Sequence, residues 1–390
     1  QEHFSSRKTG FVLPEIVSIM EKAQDKVIRA HHAGPFVISG PAGSGKTTLA
    51  LHRVAYLVQA PDTAPHYPSK SIIVFVQDTG TKEYFSQLLP ELGIRDVAIT
   101  TFSEWVFMCL GIKAGEATFA SRHDEFAIGK VTDTEKDLLE YEKIQCLRTF
   151  PTPRYTKQFG KLLRSLYELK LSPRSLAIYD AQIKAKKLDK IDLTLLLSSY
   201  IATFGGIELV QSYLAPAKHG QFKRKNRKTA LDYSLLVVDE FQNYLPEQLS
   251  IFKKVVNQSQ KSIIYVGDMA QQVHIGTIRG WKSVGEEMTG ERSVILEKVY
   301  RNTKQILGFI GGIGYKVSVP EGLKEGPEVA ERVFASKSEE MAYIKDIIAK
   351  TGSKTPQTIA ILAKNKEYLG DFKDLAQNKP NIHLLSIIEA

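Results

Sequence analysis

The sequence predicts an α/β fold in which a parallel sheet is covered by helices on both faces. Short apolar runs typical of buried strands alternate with helical patterns, first at 35–39 and 71–77 and again at 234–240 and 262–268. Strands that are separated by helices need crossover connections and therefore lie parallel. A glycine-rich turn follows the first of these strands and leads into a helix, which is the context of a phosphate-binding loop.

Composition narrows the class of protein. The chain has 390 residues, enough for two or three domains, and 43% of them are hydrophobic and 24% charged, as in soluble globular proteins. It contains no apolar run of about eighteen residues that would predict a membrane span, and its N-terminus lacks the apolar stretch of a signal peptide. Two cysteines, Cys109 and Cys146, are too few for a disulfide framework, so we expect a cytoplasmic protein without a membrane partner. The net charge of +9 favours a polyanionic partner.

The remaining elements follow in chain order. Helical patterns at 15–32, 46–59 and about 80–90 surround the first strands, and a further short strand is predicted at 97–102. From 113 to 230 helical periodicity dominates, which predicts a helical basic insertion within one α/β domain. Its stretch 218–228, KHGQFKRKNRK, contains six basic residues without apolar periodicity and predicts a flexible basic loop. From 301 onward a second alternation, with strands at EVAERVFA, TIAILAK and NIHLLSI, predicts the beginning of a second α/β domain.

The glycine-rich turn satisfies the pattern G-x-x-x-x-G-K-[ST]. Glycines let backbone N–H groups surround a phosphate, and the helix that follows adds its positive N-terminal end. The lysine of this pattern suits the β- and γ-phosphates, and the hydroxyl after it suits Mg²⁺. The predicted nucleotide-binding residues are Gly40, Pro41, Ala42, Gly43, Ser44, Gly45, Lys46, Thr47 and Thr48.

Acidic and polar side chains at later strand ends complete a hydrolytic site. LLVVDE ends in Asp239, suited to holding Mg²⁺ together with Thr47, and in Glu240, suited to orienting the attacking water and taking its proton. VGDMAQ brings Gln271 within reach of a γ-phosphate or its water. LEKVYRNT contains Tyr300, which can stack on a base, and Arg301, which can stabilise transition-state charge.

The order of these motifs resembles that of the UvrD/Rep-type superfamily 1A helicases. The matching stretches are EKAQDKVIRA, GPAGSGKTT, ITTFSEW, LLVVDEFQ, VGDMAQQ and LEKVYRNT, which extend over nearly the whole chain. The resemblance implies ATP and Mg²⁺ as cofactors, single-stranded DNA as partner, and ATP hydrolysis at the cleft between two RecA-like domains. It implies a first domain, 1A, at 1–112 and 231–300, a 1B-like insertion at 113–230, and an incomplete second domain, 2A, at 301–390.

The resemblance also implies roles for individual residues. Gln24 matches the glutamine that contacts the adenine edge, and Tyr300 matches the ring that stacks on the base. Arg301 matches a γ-phosphate arginine, and Gln271 matches the residue that couples the nucleotide to the nucleic-acid track. The positions at which family members contact single-stranded DNA are Thr101, Phe102 and Ser103.

Finer details look most similar to the HelD, or helicase IV-like, branch of that family. The similar stretches are ALHRVAYL, EYFSQLLPELG and IVSIMEKAQDKVIRA. This branch includes bacterial factors that bind RNA polymerase and use ATP to clear it from DNA. The resemblance therefore leaves RNA polymerase open as a partner.

The sequence also departs from the family pattern. After the acidic pair, relatives usually have Ala-Gln-Asp where this chain has Phe241-Gln242-Asn243, and FVQDTGTKEY lacks the usual Thr-Asn-Lys. Trp281 comes ten residues after Gln271, too late for the base-stacking tryptophan of the DNA-tracking members, so we expect it to pack in the core. NIHLLSIIEA stops where the next motif continues with Lys-Gly-Leu-Glu-Phe, and we expect these 390 residues alone to turn ATP over slowly.

Two functions stay open on the sequence. The first is a motor that hydrolyses ATP to move along single-stranded nucleic acid. The second is an ATP-driven factor that remodels a protein–nucleic acid complex such as one with RNA polymerase, without processive unwinding. The basic runs at 184–190 and 218–228 agree with a phosphate-backbone contact and equally with a solvated charged surface.

Overall fold

The structure is a computed structural model. It describes residues 25, 27–122, 124–129, 131–216, 221–272, 274–297, 299, 302–315, 319, 323–351 and 360–362. The chain forms two compact units, Gln1–Asn302 with Tyr315–Leu323, and Thr303–Gly314 with Lys324–Ala390. None of the helices within the described residues is long and apolar enough to cross a membrane.

The regular elements alternate as a wound α/β domain requires. In chain order they are β1 Pro35–Ser39, α1 Lys46–Gln59, β2 Ile72–Val76, α2 Thr79–Glu91, β3 Ala98–Thr101, α3 Phe102–Leu110, β4 Thr118–Phe119, α4 Asp133–Thr149, α5 Phe159–Tyr167, α6 Pro173–Lys184, β5 Lys187–Leu188, α7 Lys190–Phe204, β6 Glu208–Pro216, β7 Phe222–Ala230, β8 Leu235–Val238, α8 Pro246–Val255, β9 Ile263–Gly267, β10 Ser293–Ile295, α9 Lys304–Gly312 and α10 Lys337–Thr351.

The first unit contains a six-stranded sheet in the order β10-β1-β9-β8-β2-β3. Every neighbouring pair is parallel, so the predicted α/β fold is confirmed. The four inner strands are continuous apolar runs because helices cover both faces of a parallel sheet. The strands predicted at 35–39, 71–77, 97–102, 234–240 and 262–268 appear within one or two residues of their expected ends. β10 was not predicted, because its short, partly exposed segment only extends the edge beside β1.

Successive residues of the inner strands enter two separate cores. On β2, Ile73 and Phe75 belong to the cluster beneath Trp105 and Phe252, whereas Val74 packs on the opposite side with α1. This alternation follows from the two-residue period of a strand. A hydrophobic core therefore packs on each face of the sheet, and this packing holds the ends of the strands in place relative to one another.

Residues 113–230, where the sequence predicts a helical insertion, contain both helices and strands. Helices α4 to α7 make up most of their regular secondary structure, and β6 and β7 form an antiparallel hairpin. The prediction of a flexible loop at 218–228 is wrong for residues 222–228, because Phe222–Ala230 is a strand paired along its whole length with β6; residues 218–220 lie outside the described residues. Ladder hydrogen bonds join backbone groups, so a strand can form from charged residues of low β-propensity when a partner strand is available.

A buried charge network fixes the helices of the insertion. Lys143 on α4 is fully buried, and its ammonium donates to Asp189 Oδ2 at 2.5 Å and to Asp192 Oδ2 at 3.0 Å. Asp192 also accepts from the hydroxyl of Tyr167 at 2.6 Å and the amide of Gln182 at 2.7 Å. Burial, reinforced by the neighbouring Asp189, raises the pKa of Asp192. The network joins four elements of the insertion through bonds to shared carboxylates.

In the second unit the described residues are 303–314, which contain α9, 324–351, which contain α10, and 360–362. The strand predicted at 328–335 does not form: residues 324–334 have no regular secondary structure. A strand needs a neighbour for its N–H and C=O groups, and the described residues of this unit offer none. The helix predicted after it is α10, and the strands predicted at 358–364 and 381–387 lie largely or wholly outside the described residues.

Candidate active site

The glycine-rich loop joins the end of β1 to the start of α1 at one edge of the central sheet. Gly40, Gly43 and Gly45 have φ angles of 147°, 80° and 86°, in the region that side chains disfavour. A Cβ atom at Gly40 would also collide with the carbonyl oxygen of Leu296. Glycine at these positions lets the loop curve tightly, which is the geometry in which backbone N–H groups converge on an anion.

The first turn of α1 faces the same loop. Gly45 is the N-cap, and Lys46, Thr47 and Thr48 begin the helix. The first N–H groups of a helix have no partner within it, and the helix dipole favours an anion at this end. The ammonium of Lys46 is buried and donates to the carbonyl oxygen of Pro41 at 3.1 Å, which holds it against the loop.

Asp239 follows β8 and lies beside the start of α1. Its carboxylate is 4% exposed and accepts a hydrogen bond from the Thr47 hydroxyl at 3.3 Å, and its own N–H donates to Phe75 at 2.9 Å. Burial is the main cause that raises its pKa to about 7, and the adjacent Glu240 charge adds to the shift, while the Thr47 bond opposes it. The structure thus brings together the two residues that the sequence analysis predicted for a metal ion.

A chain of hydrogen bonds connects the end of β8 to the end of β9. The buried amide of Gln242 donates to Glu240 Oε2 at 2.6 Å, and its oxygen accepts the backbone N–H of Asp268 at 3.0 Å. Asp268 in turn accepts from the Gln271 amide at 2.6 Å. Glu240 has a positive φ of 50°, an uncommon conformation for a residue with a side chain. Gln242 therefore connects Glu240, the proposed general base, through hydrogen bonds to the segment that contains Gln271.

The contact made by Gln242 depends on a glycine in the neighbouring strand. A Cβ atom at Gly267 would overlap Gln242 Oε1 and would lie 2.8 Å from Cδ1 of Phe241. The sequence pattern alone gives Gln242 no role. The available signal was its position two residues after the acidic pair, but only the three-dimensional structure gives its partners.

The residues of this edge fit a nucleoside triphosphate with Mg²⁺. The Ser44 hydroxyl is buried in the loop and has no hydrogen-bond partner among the described residues, an arrangement that a phosphate oxygen would satisfy. The Thr47 hydroxyl and the Asp239 carboxylate are oxygen donors, the kind that Mg²⁺ prefers. The glycine loop, the helix N-terminus and Lys46 supply the positive surroundings of the phosphates.

Arg53 is a further residue of α1 that the sequence analysis missed. Its guanidinium is 1% exposed and donates to the carbonyl oxygens of Val27, Ile28, Ala30 and His31 at 2.6 to 3.1 Å. Burial lowers its pKa to about 10. The arginine therefore ties the segment that follows Gln24 to the helix that begins at the phosphate-binding loop.

Three predicted residues lie at the start of α3. Thr101 caps the helix by accepting the N–H of Glu104 at 3.3 Å, and its hydroxyl lies 3.1 Å from that of Ser103. Phe102 is buried among aromatic rings, with Tyr244 and Phe252 next to it. The phenyl ring thus belongs to the core, and only Thr101 and Ser103 are partly accessible at this point.

Three other predicted residues, Gln24, Tyr300 and Arg301, lie outside the described residues. Trp281 is described, and its ring packs against Phe241 and Tyr265 at centroid distances of 4.9 and 5.1 Å. The expectation that Trp281 is a packing residue is confirmed.

Comparison with known proteins agrees with this geometry. The chain matches the model of the UvrD/REP helicase N-terminal domain over residues 20–275. It is 25% identical over 309 residues to the ATP-dependent DNA helicase PcrA of Staphylococcus epidermidis and 22% identical over 313 residues to that of Staphylococcus aureus. Each match covers 75% of this chain and 39% of the relative, so the chain spans about two fifths of the length of these curated relatives.

Proposed function

The chain belongs to the UvrD/REP helicase family, and from this premise we propose that it is a superfamily 1A motor that hydrolyses ATP to move along single-stranded DNA. The observation that best supports the proposal is the common sheet edge at which the phosphate-binding loop meets the hydrogen-bonded pair Thr47 and Asp239. The chain of bonds from Glu240 to Gln271 lies at the same edge. The relatives that it matches are named ATP-dependent DNA helicases.

Each residue of the site has a separate task in the proposed reaction. Backbone N–H groups of the loop and the Lys46 ammonium bind the phosphates, and Thr47 and Asp239 hold Mg²⁺. When bound by Thr47 and Asp239, Mg²⁺ would offset the negative charge that develops on the phosphates during transfer. Glu240 orients the attacking water and accepts its proton, as a general base must.

The hydrogen-bonded chain supports a means of coupling hydrolysis to DNA. Gln242 contacts Glu240 on one side and Asp268 on the other, and Asp268 contacts Gln271. A change in charge at Glu240 therefore alters a set of bonds that ends at Gln271. We assign Gln271 to sensing the γ-phosphate and Gln242 to positioning the general base.

Further contacts rest on the family resemblance. Gln24 would contact the adenine edge, Tyr300 would stack on the base, and Arg301 would contact the γ-phosphate. On the DNA side, the accessible hydroxyls of Thr101 and Ser103 suit hydrogen bonds to a strand, whereas the buried ring of Phe102 suits support of that segment from within.

We assign this activity to the cytoplasm. Cys109 and Cys146 are free thiols, and both are buried. Proteins that keep free thiols and have no disulfide framework are typical of reducing compartments. Measuring the redox state of both thiols in cells tests the assignment.

Steady-state ATP hydrolysis, with and without single-stranded DNA, tests the proposed function. We expect DNA to accelerate hydrolysis and Lys46→Ala to abolish it. Glu240→Gln should keep nucleotide binding but lower turnover by about 10²–10⁴, the usual contribution of a general base. Hydrolysis that persists at the same rate in Lys46→Ala would contradict the proposal.

One observation favours a second candidate, a HelD-like factor that remodels RNA polymerase or another protein–nucleic acid complex. Trp281 packs on Phe241 and Tyr265 and is therefore engaged in the core instead of being presented to a base. ATP hydrolysis that is abolished by Lys46→Ala but indifferent to DNA would favour this candidate over the motor. Acceleration by DNA would favour the motor.

A further inference from the structure

The hairpin of β6 and β7 projects charged residues that the nucleotide site does not use. Nine residue pairs join its strands, from Glu208 with Ala230 to Pro216 with Phe222. All nine residues of β7 are exposed. An isolated two-stranded hairpin is only marginally stable in water, so a hairpin of this length, exposed on β7 throughout, suggests a surface that is completed by a partner.

The register divides the hairpin into two chemically different faces. Residues directly opposite in an antiparallel pair share a face, and successive residues alternate. One face contains Lys223, Lys225, Arg227 and, opposite Lys225, the exposed ring of Tyr213; we call this the cationic face. The other face contains the exposed apolar side chains of Val210, Leu214 and Phe222 together with two cations, Arg224 and Lys228.

The two faces differ in whether their cations have acidic partners. Lys228 on the apolar face pairs with Glu208 at 3.3 Å. Within the described part of the chain, no salt bridge engages the three cations of the cationic face, and no acidic residue of β6 or β7 shares that face. Alternate residues of a strand lie about 6.8 Å apart, so these cations form a straight row with a spacing comparable to that of successive phosphates.

Protection of an exposed edge is a simpler explanation for lysines on a hairpin. Charged residues on either face would protect the edge equally well, and so would a mixture of acidic and basic residues. It does not account for a row of three cations on one face with an aromatic ring among them. Positive grooves with interleaved aromatic rings are how proteins bind single strands without sequence preference.

We propose that the cationic face of the β6–β7 hairpin binds the phosphate backbone of single-stranded nucleic acid, with Tyr213 stacking on a base. The proposal deepens the proposed function, on which it rests for the kind of partner, by adding a strand contact in the insertion. It locates that contact on residues that touch neither the nucleotide site nor the start of α3.

Equilibrium binding of a fluorescein-labelled oligothymidylate to the 390-residue chain, measured by anisotropy across a range of salt concentrations, tests the proposal. The test variant is Lys225→Gln with Arg227→Gln, on the cationic face. The matched control is Arg224→Gln with Lys228→Gln, which removes two cations from the same strand but from the opposite face. Circular dichroism of both variants checks that the fold is retained.

The two variants should differ in the salt dependence of binding. Each lost phosphate contact lowers the slope of log K against log salt by about 0.7 for a single strand, so the test variant should lose about 1.4. The control should lose less than half of that. Equal losses in both variants, or unchanged binding in the test variant, would overturn the proposal, and the latter result would favour an acidic protein segment as the occupant.

Tyr213→Ala provides a second, charge-neutral test. Loss of one stacked base should weaken single-strand binding by about tenfold, with Tyr213→Phe retaining affinity because its ring still stacks. Equal affinity of the alanine and phenylalanine variants would overturn the role of the ring. These binding measurements need no ATP turnover. Absence of ATP hydrolysis would therefore contradict the proposed function without deciding the role of the hairpin, and loss of the hairpin proposal would leave the proposed function standing.

Discussion

Replacing Gln242 by leucine removes the link between the general base and the end of β9 while keeping a side chain of similar size. The amide of Gln242 is 2% exposed and makes one bond to the Glu240 carboxylate and one to the Asp268 N–H, at 2.6 and 3.0 Å. Losing a bond to an ionised group costs about 1.5–3 kcal/mol, and leaving the partly buried N–H of Asp268 without a partner costs up to about 3 kcal/mol. We therefore expect the free energy of unfolding to fall by about 3–5 kcal/mol.

The catalytic consequence of Gln242→Leu should be larger than its effect on substrate binding. Glu240 loses the bond that orients it, and misplacement of a catalytic group by about 1 Å can cost roughly 10²-fold in rate. The loop, Lys46 and Thr47 are not touched by the change. Steady-state kinetics should accordingly give a kcat lowered by about 10²-fold with a nearly unchanged KM for ATP.

Gln248→Leu is the control for a purely structural loss. Gln248 is also 2% exposed, accepts the backbone N–H of Leu245 at 2.9 Å and donates to the Thr194 hydroxyl at 3.0 Å, away from the nucleotide site. Urea unfolding should show similar destabilisation of both variants, whereas only Gln242→Leu should lose kcat. Equal kcat values in the two variants would refute the positioning role of Gln242.

Three further predictions follow from the same structure. Gly267→Ala should lower kcat by a factor similar to that of Gln242→Leu, because the added Cβ must displace the Gln242 amide; a fully active variant would contradict this. Because the pKa of Asp239 is raised to about 7, its carboxylate is neutral at lower pH, and Mg²⁺ must displace a proton there. Mg²⁺-dependent binding of a fluorescent ATP analogue should therefore weaken up to about tenfold per pH unit below about pH 7, and Asp239→Asn should remove this dependence. Lys143→Met should lower the free energy of unfolding by about 3–5 kcal/mol, since it leaves the buried carboxylate of Asp192 and the partly buried carboxylate of Asp189 without their cation; urea unfolding measures the loss, and adding Asp192→Asn should recover part of it.

The nucleotide site was predictable because its parts are local in sequence. The loop lies between a strand and a helix whose patterns are continuous, and α1 begins and ends where its apolar spacing predicts. Parallel strands end at one sheet edge, so the acidic pair after β8 was expected near Lys46 without any knowledge of side-chain positions. The contact between Thr47 and Asp239 agrees with that expectation.

The hairpin and the second unit were predicted less well for a related reason. FKRKNRKTA has no apolar alternation, and its strand exists through backbone pairing with β6, a partner that its own sequence does not specify. Residues 328–335 contain the strand-favouring Val329, Val333 and Phe334, but the described residues of that unit supply no neighbouring strand. Strand formation depends on partners distant in sequence, which local patterns do not report.

The sequence by itself thus determined the fold class and predicted the phosphate-binding loop and the acidic residues near it, because these depend on short-range spacing and on the rule that parallel strands end together. Tertiary structure alone decided that Gln242 joins Glu240 to Asp268 through hydrogen bonds. It also decided that Arg53 donates to backbone carbonyl oxygens and that the ring of Phe102 is buried. It also separated the cations of β7 by face. These features depend on which side chains meet after the chain has folded, and the physical reason is that hydrogen bonds and burial act over a few ångströms between residues that can be hundreds of positions apart.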